Sequence, residues 1–131
     1  MNHSEATNRG LTFEDAVASA YGGIKHLQFR YGELVPRGAV VVDVLRLSSD
    51  GIEAIECKSC LNGDYYNLAG RLARQINDRN IHLPVGIGQR IVFEDFGYDE
   101  EEKAYILETT RRFVCEVYPG IPIDFLKRDN R

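Results

Sequence analysis

No apolar run in the 131 residues approaches the roughly 20 needed to span a bilayer, so no membrane partner is expected. The first ten residues, MNHSEATNRG, lack a hydrophobic signal core; a secretory peptide is not expected, and a cytoplasmic protein is. Cysteine is scarce, and three residues cannot build a disulfide framework in such a chain. Cys57 and Cys60 form a lone C-x-x-C, CKSC. Zinc would need two more ligands, Cys115 and one of His3, His26 or His82. A redox motif of this spacing normally opens a helix, whereas Cys57 falls late in a strand, so two reduced thiols are expected. Repeats, low-complexity tracts and linkers are also missing. An excess of positive charge is missing too: the net charge of −4 argues against coating nucleic acid through bulk electrostatics.

What is present fits one globular domain large enough to bury a core, with 44% apolar and 27% charged residues. Charge is unevenly distributed. Arg71, Arg74, Arg79 and Arg90 stand against Asp78 alone, whereas Glu94 to Glu102 holds six carboxylates and no base. The first stretch permits a small polyanion site, and the second suits a protein partner.

Periodicity gives the elements. Residues 1–11 read as a flexible N-terminal tail and 12–131 as the domain. From 12 to 28, Phe13, Val17, Ala20, Tyr21, Ile24 and Leu27 share a helical face that Gly22-Gly23 can end or bend. A short strand is possible around Gln28 to Val35. Residues 39–47 and 52–58 read as strands around an Asp-Gly turn. Tyr65, Leu68, Ala69, Leu72 and Ile76 predict a helix over about 64–79. LPVGIG reads as a loop and 90–95 as a strand. Asp99 with Glu102 makes a capping-box-like helix start. That helix is expected to reach about Tyr118 and to bury Ala104, Leu107, Val114 and Val117. IPIDFL closes the chain as a short strand. The sum is an α/β fold, a small mixed β-sheet flanked by helices.

Three polar residues interrupt the two central strands: Asp43 in VVVDVLRL, then Glu56 and Lys58 in IEAIECKS. A two-residue Asp50-Gly51 loop would pair Asp43 with Lys58. A four-residue loop would pair Leu47 with Ile52 and set Asp43 opposite Glu56. Either register puts all three side chains on one face. Two half-buried carboxylates repel, and burial penalises both. Lys58 offsets one charge, and a divalent cation such as Mg²⁺ would offset the other. The alternative is a plain salt bridge to Lys58.

An acid on one strand followed by acid-x-Lys on the next resembles the signature of the PD-(D/E)XK nuclease superfamily, the restriction-endonuclease-like fold. The resemblance covers about residues 12–96 and implies an αβββαβ core, here followed by a C-terminal helix and short strand. It implies Asp43 and Glu56 as ligands of Mg²⁺ (or Mn²⁺), with the backbone carbonyl of Cys57, and Lys58 at the attacking water. A glutamate on the first helix and a polar residue on the helix after the lysine are common in the family; Glu14 and Gln75 match those places. The stretch from Arg71 to Gly97 is also similar, more loosely, to C-terminal nuclease domains of bacterial contact-dependent toxins.

The function expected from this is a Mg²⁺-dependent endonuclease acting on DNA or RNA. Arg71, Arg74 and Arg79 would hold substrate phosphates. The alternative is a non-catalytic nuclease-fold binding protein, a regulatory subunit or toxin-neutralising partner, using the acidic 94–102 surface. So small a domain has little surface with which to grip duplex DNA alone, which makes a homodimer reasonable.

Overall fold

The structure is a computed structural model that describes residues 3–60 and 65–128, except the side chains of residues 3–11. Its elements are α1 (His3–Tyr21), β1 (Gly23–Arg30), β2 (Glu33–Leu34), β3 (Val40–Ser48), β4 (Gly51–Lys58), α2 (Tyr65–His82), β5 (Ile87–Glu94), α3 (Glu100–Val114) and β6 (Ile123–Leu126). The strands form one mixed sheet in the order β2-β1-β3-β4-β5-β6. The pairs β2–β1, β1–β3 and β3–β4 are antiparallel, and β5 joins β4 in parallel, as β6 joins β5. Parallel neighbours require a crossover connection, which α2 and α3 provide.

α1 lays Phe13 and Val17 against Val44, Ile55 and Val92 on one face of the sheet. Both residues are fully buried, and each contributes on the order of 2 kcal/mol. On the other face Leu68, Leu72 and Ile76 of α2 meet Ile106 and Val114 of α3 over Ile91 and Phe93. No helix among the described residues is long and apolar enough to cross a membrane.

Several boundaries differ from the sequence expectations. α1 begins at His3, so residues 3–11, expected as a tail, have helical backbone. They contain no proline and one glycine, and once Phe13 and Val17 anchor a helix, extending it costs little. At the glycine pair, where an end or a bend was expected, α1 ends. Gly22 takes φ +72 and donates to the Ala18 carbonyl at 2.9 Å, a left-handed helix stop. A Cβ on Gly23 would lie 2.5 Å from Val44 Cγ1 and 2.8 Å from the Leu45 carbonyl oxygen, so β1 can approach β3 only with glycine there. Ile24 and Leu27 therefore belong to β1, not to a helix.

The expected start of the second helix, residue 64, lies outside the described residues, as do 1–2 and 129–131 of the expected tail and domain; α2 extends to His82. β5 starts at Ile87, inside the expected LPVGIG loop, because Gly88 hides a strand pattern that the pairing Glu53–Gly88 enforces. The Asp99–Glu102 capping box is present in full. α3 stops at Val114 with Cys115 as its cap, and Pro119 disfavours helical backbone at Tyr118. Its buried positions are Ile106, Thr109, Thr110 and Val114; Ala104 is exposed, while Leu107 and Val117 are half-buried.

Candidate functional site

The hairpin register decides where the three polar residues meet. Ser48 pairs with Gly51 and Leu47 with Ile52, which closes the turn on Ser49 and Asp50. Of the two expected registers, this is the one that opposes Asp43 to Glu56. The last β3–β4 pair is Val44–Ile55. Beyond it β4 continues along β5 to the pair Lys58–Phe93, while β3 continues along β1 to Val40–Phe29. The two strands part, and α2 covers the gap. A cleft of about 320 Å³ opens there, lined by Asp43 and Glu56 and, from α2, by Gln75, Asp78 and Arg79, with residues 39–41 at its edge.

Where the ladder ends, the Asp43 side chain replaces it: its Oδ2 accepts the Cys57 amide at 2.8 Å. Glu56 is buried at 4% exposure and is held from two sides. Its Oε2 lies 3.1 Å from Lys58 Nζ, and its Oε1 pairs with Arg79. Arg79, 6% exposed, also donates to the Val41 carbonyl at 2.9 Å. Asp43 has no ion pair among the described residues. Burial, then the charge of Glu56, pushes its carboxyl up to about 7, against a weaker pull from the Cys57 amide and Arg79. Gln75 Oε1 and Arg79 Nε and Nη1 are buried without hydrogen-bond partners among the described residues. Unpaired polar atoms facing a cleft are what an incoming ligand satisfies.

The other expected site residues fall at varying distances from this centre. Glu14 lies beside it, not in it. Its charge raises the Asp43 carboxyl, but its Oε1 is 2.6 Å from His26 Nε2. His26 sits on β1 between the pairs Lys25–Val44 and Leu27–Val42, hence opposite Asp43, and takes φ +65. Arg71 and Arg74 are exposed on α2. Arg79 is held through Nη2 by Glu56 and the Val41 carbonyl, which leaves its Nε and Nη1 unpaired beside the cleft. Arg90, counted in the basic stretch, bridges Glu53 and Asp124.

Cys57 and Cys60 are free thiols; burial, then the charges of Asp43 and Glu56, pushes the Cys57 thiol well above its ordinary range. That thiol is therefore no nucleophile at neutral pH. No group of three His, Cys, Asp or Glu suited to a metal ion occurs among the described residues. The acidic 94–102 stretch is only partly a surface. Glu94 is buried on Arg128, and Asp95 pairs with Lys103, which leaves Asp99 to Glu102 exposed.

Sequence reasoning missed one member of the cleft, Asp78, and one contact, that of Arg79 with Glu56. Asp78 follows Gln75 by three residues, so helical spacing alone could have placed it there. The Arg79–Glu56 clamp had no such signal, because it depends on how α2 crosses the sheet. No protein-family model, curated protein or solved structure matches the chain.

Proposed function

We propose that this protein is a Mg²⁺- or Mn²⁺-dependent phosphodiesterase that cuts DNA or RNA internally, built on the restriction-endonuclease-like plan. The observation that carries the reading is Asp43 opposed to Glu56 where β3 and β4 part, with Lys58 on the same face. Antiparallel β1, β3 and β4 after α1, with the two-residue β2 at the edge, then a crossover helix and a parallel strand, support the same plan.

The residues fit a divalent ion in their chemistry. Asp43 is a carboxyl poor in positive charge beside a second carboxylate, and a cation would relieve both. Asp43, Glu56 and the Cys57 carbonyl would hold it. When bound, such an ion polarises a phosphoryl oxygen and makes bound water more acidic. The chain's own residues supply the rest. Lys58, fixed by Glu56, brings an ammonium to where negative charge grows on the phosphate. Gln75 offers an unpaired oxygen to a water or a sugar hydroxyl in the cleft. Arg79 holds Glu56 in place at the mouth of the cleft.

A binding-only protein is the second reading. It is favoured by the double hold of Lys58 and Arg79 on Glu56, which leaves that carboxylate already neutralised. Cleavage of a panel of duplex DNA, single-stranded DNA and total tRNA separates the two, with Mg²⁺, Mn²⁺ or EDTA and Lys58→Ala as control. Metal-dependent cutting lost in the variant is the expected result. Binding without cutting, unchanged by EDTA, would leave the second reading standing instead.

A further inference from the structure

A separate cavity of about 400 Å³ lies on the α3 side of the molecule, lined by Tyr65, Tyr98, Glu101, Glu102, Tyr105 and Ile106. Its aromatic walls are fixed. The hydroxyls of Tyr65 and Tyr98 are 2.7 Å apart, and both lie near the Cys60 carbonyl, at 3.1 and 3.2 Å. Two hydroxyl protons are thus used up within the protein, and the rings carry no phenolate charge. Tyr98 is braced edge-on by Phe125 at 79° and by Phe96 at 76°. Tyr65 and Tyr105 stand at 86° with centroids 6.5 Å apart, making two walls of a corner. Tyr105 is 58% exposed, an aromatic ring left largely uncovered.

The rim is acidic. Glu101 and Glu102 lie one helical turn before Tyr105 and Ile106, and no lysine or arginine lines the cavity. Glu102 holds the Asp99 amide at 2.9 Å in the capping box, and Glu101 is exposed. The positive end of the α3 dipole, about half a charge, is outweighed by Asp99 and three successive glutamates. Ring faces carry negative potential and attract cations, more strongly when the cation sheds its water readily. A bare ammonium keeps its hydration shell, whereas an alkylated one offers methyl groups to the rings and charge to the carboxylates.

We propose that this cavity binds an alkylated ammonium group, held by the faces of Tyr65, Tyr98 and Tyr105 and by the charges of Glu101 and Glu102. The group can belong to a free quaternary ammonium compound or to a methylated lysine side chain. The site does not rest on the nuclease reading. Titration calorimetry of the full chain tests it, with choline, a short trimethyllysine peptide, and 3,3-dimethylbutan-1-ol as the uncharged isostere of choline. Saturable binding of a cation is expected, with the isostere at least about tenfold weaker. Tyr105→Ala, checked for folding by circular dichroism, should weaken the cation roughly five- to thirtyfold, and Glu101→Gln a few-fold. Tighter binding of the peptide than of choline would assign the ammonium to a protein side chain, and the reverse to a small molecule. Equal binding of the isostere, no saturation by either cation up to ~10 mM, or an unchanged Tyr105→Ala variant would overturn the proposal.

Discussion

Asp43→Asn should stabilise the protein, and the gain should grow with pH. The folded carboxyl titrates near 7 against an ordinary value of 3.8, so the unfolded chain releases this proton first. Stability contributed by the protonated group is complete below about pH 4, is lost as pH rises to about 7, and then levels off. Integrated, the penalty carried by wild type is about 2 kcal/mol at pH 5 and about 4 kcal/mol at pH 8. Asparagine keeps an oxygen for the Cys57 amide and carries no charge beside Glu56, so the geometry survives while the penalty goes. In urea, at about 2 kcal/mol per molar, the variant's midpoint should exceed wild type by roughly 1 M at pH 5 and 2 M at pH 8. Far-UV circular dichroism reads both. A gap independent of pH, or a variant less stable than wild type, would refute the picture of Asp43 as a strained, uncompensated carboxyl. Adding Mn²⁺ at pH 8 should raise the wild-type midpoint and leave the variant's unchanged. Movement in both, or in neither, would remove Asp43 as a ligand.

Two further outcomes test the frame around the cleft. Glu94 accepts Arg128 through two contacts of 2.6 Å and Ser59 at 2.5 Å, at 6% exposure. Glu94→Ala strands a half-buried guanidinium and should cost about 2–3 kcal/mol in chemical denaturation. A loss below about 1 kcal/mol would mean that Arg128 finds water instead. Asp99→Ala removes the capping box of α3 and should cost about 1 kcal/mol without altering the response of the cleft to Mn²⁺.

The parts of this protein legible in its sequence are those written in local chemistry. The Asp99–Glu102 box, the α2 stripe and the strands around Asp43 and Glu56 each follow from a few adjacent residues. The face shared by Asp43, Glu56 and Lys58 follows from period-two alternation. What stayed hidden depends on packing between distant segments. Ile24 and Leu27 fit a helical face and a strand equally well, and the approach of β3 to Gly23 decides for the strand. Arg79 reads as a phosphate-holding residue, yet it lies where the last turn of α2 crosses the parted strands and meets Glu56. Glu94 reads as the start of an acidic surface until Arg128, 34 residues on, reaches it.

The charges of the cleft bear directly on the choice between cutting and binding alone. Asp43, Glu56 and Asp78 face Arg79 inside it, with Lys58 on Glu56 beside them. Fully ionised, the three carboxylates outnumber the two cations, so the cleft repels a phosphodiester. Arg71 shares the helical line of Gln75 and Asp78, and Arg74 stands one turn from Asp78, but both are exposed and screened at physiological salt. Attraction must therefore come from neutralising a carboxylate, either by a proton on Asp43 below about pH 7 or by a divalent cation above it. A binding-only protein that uses this cleft would hold nucleic acid better in acid and would not respond to EDTA. A nuclease that uses it would need the cation both to hold its substrate and to cut it, so EDTA would abolish binding and cleavage together above pH 7.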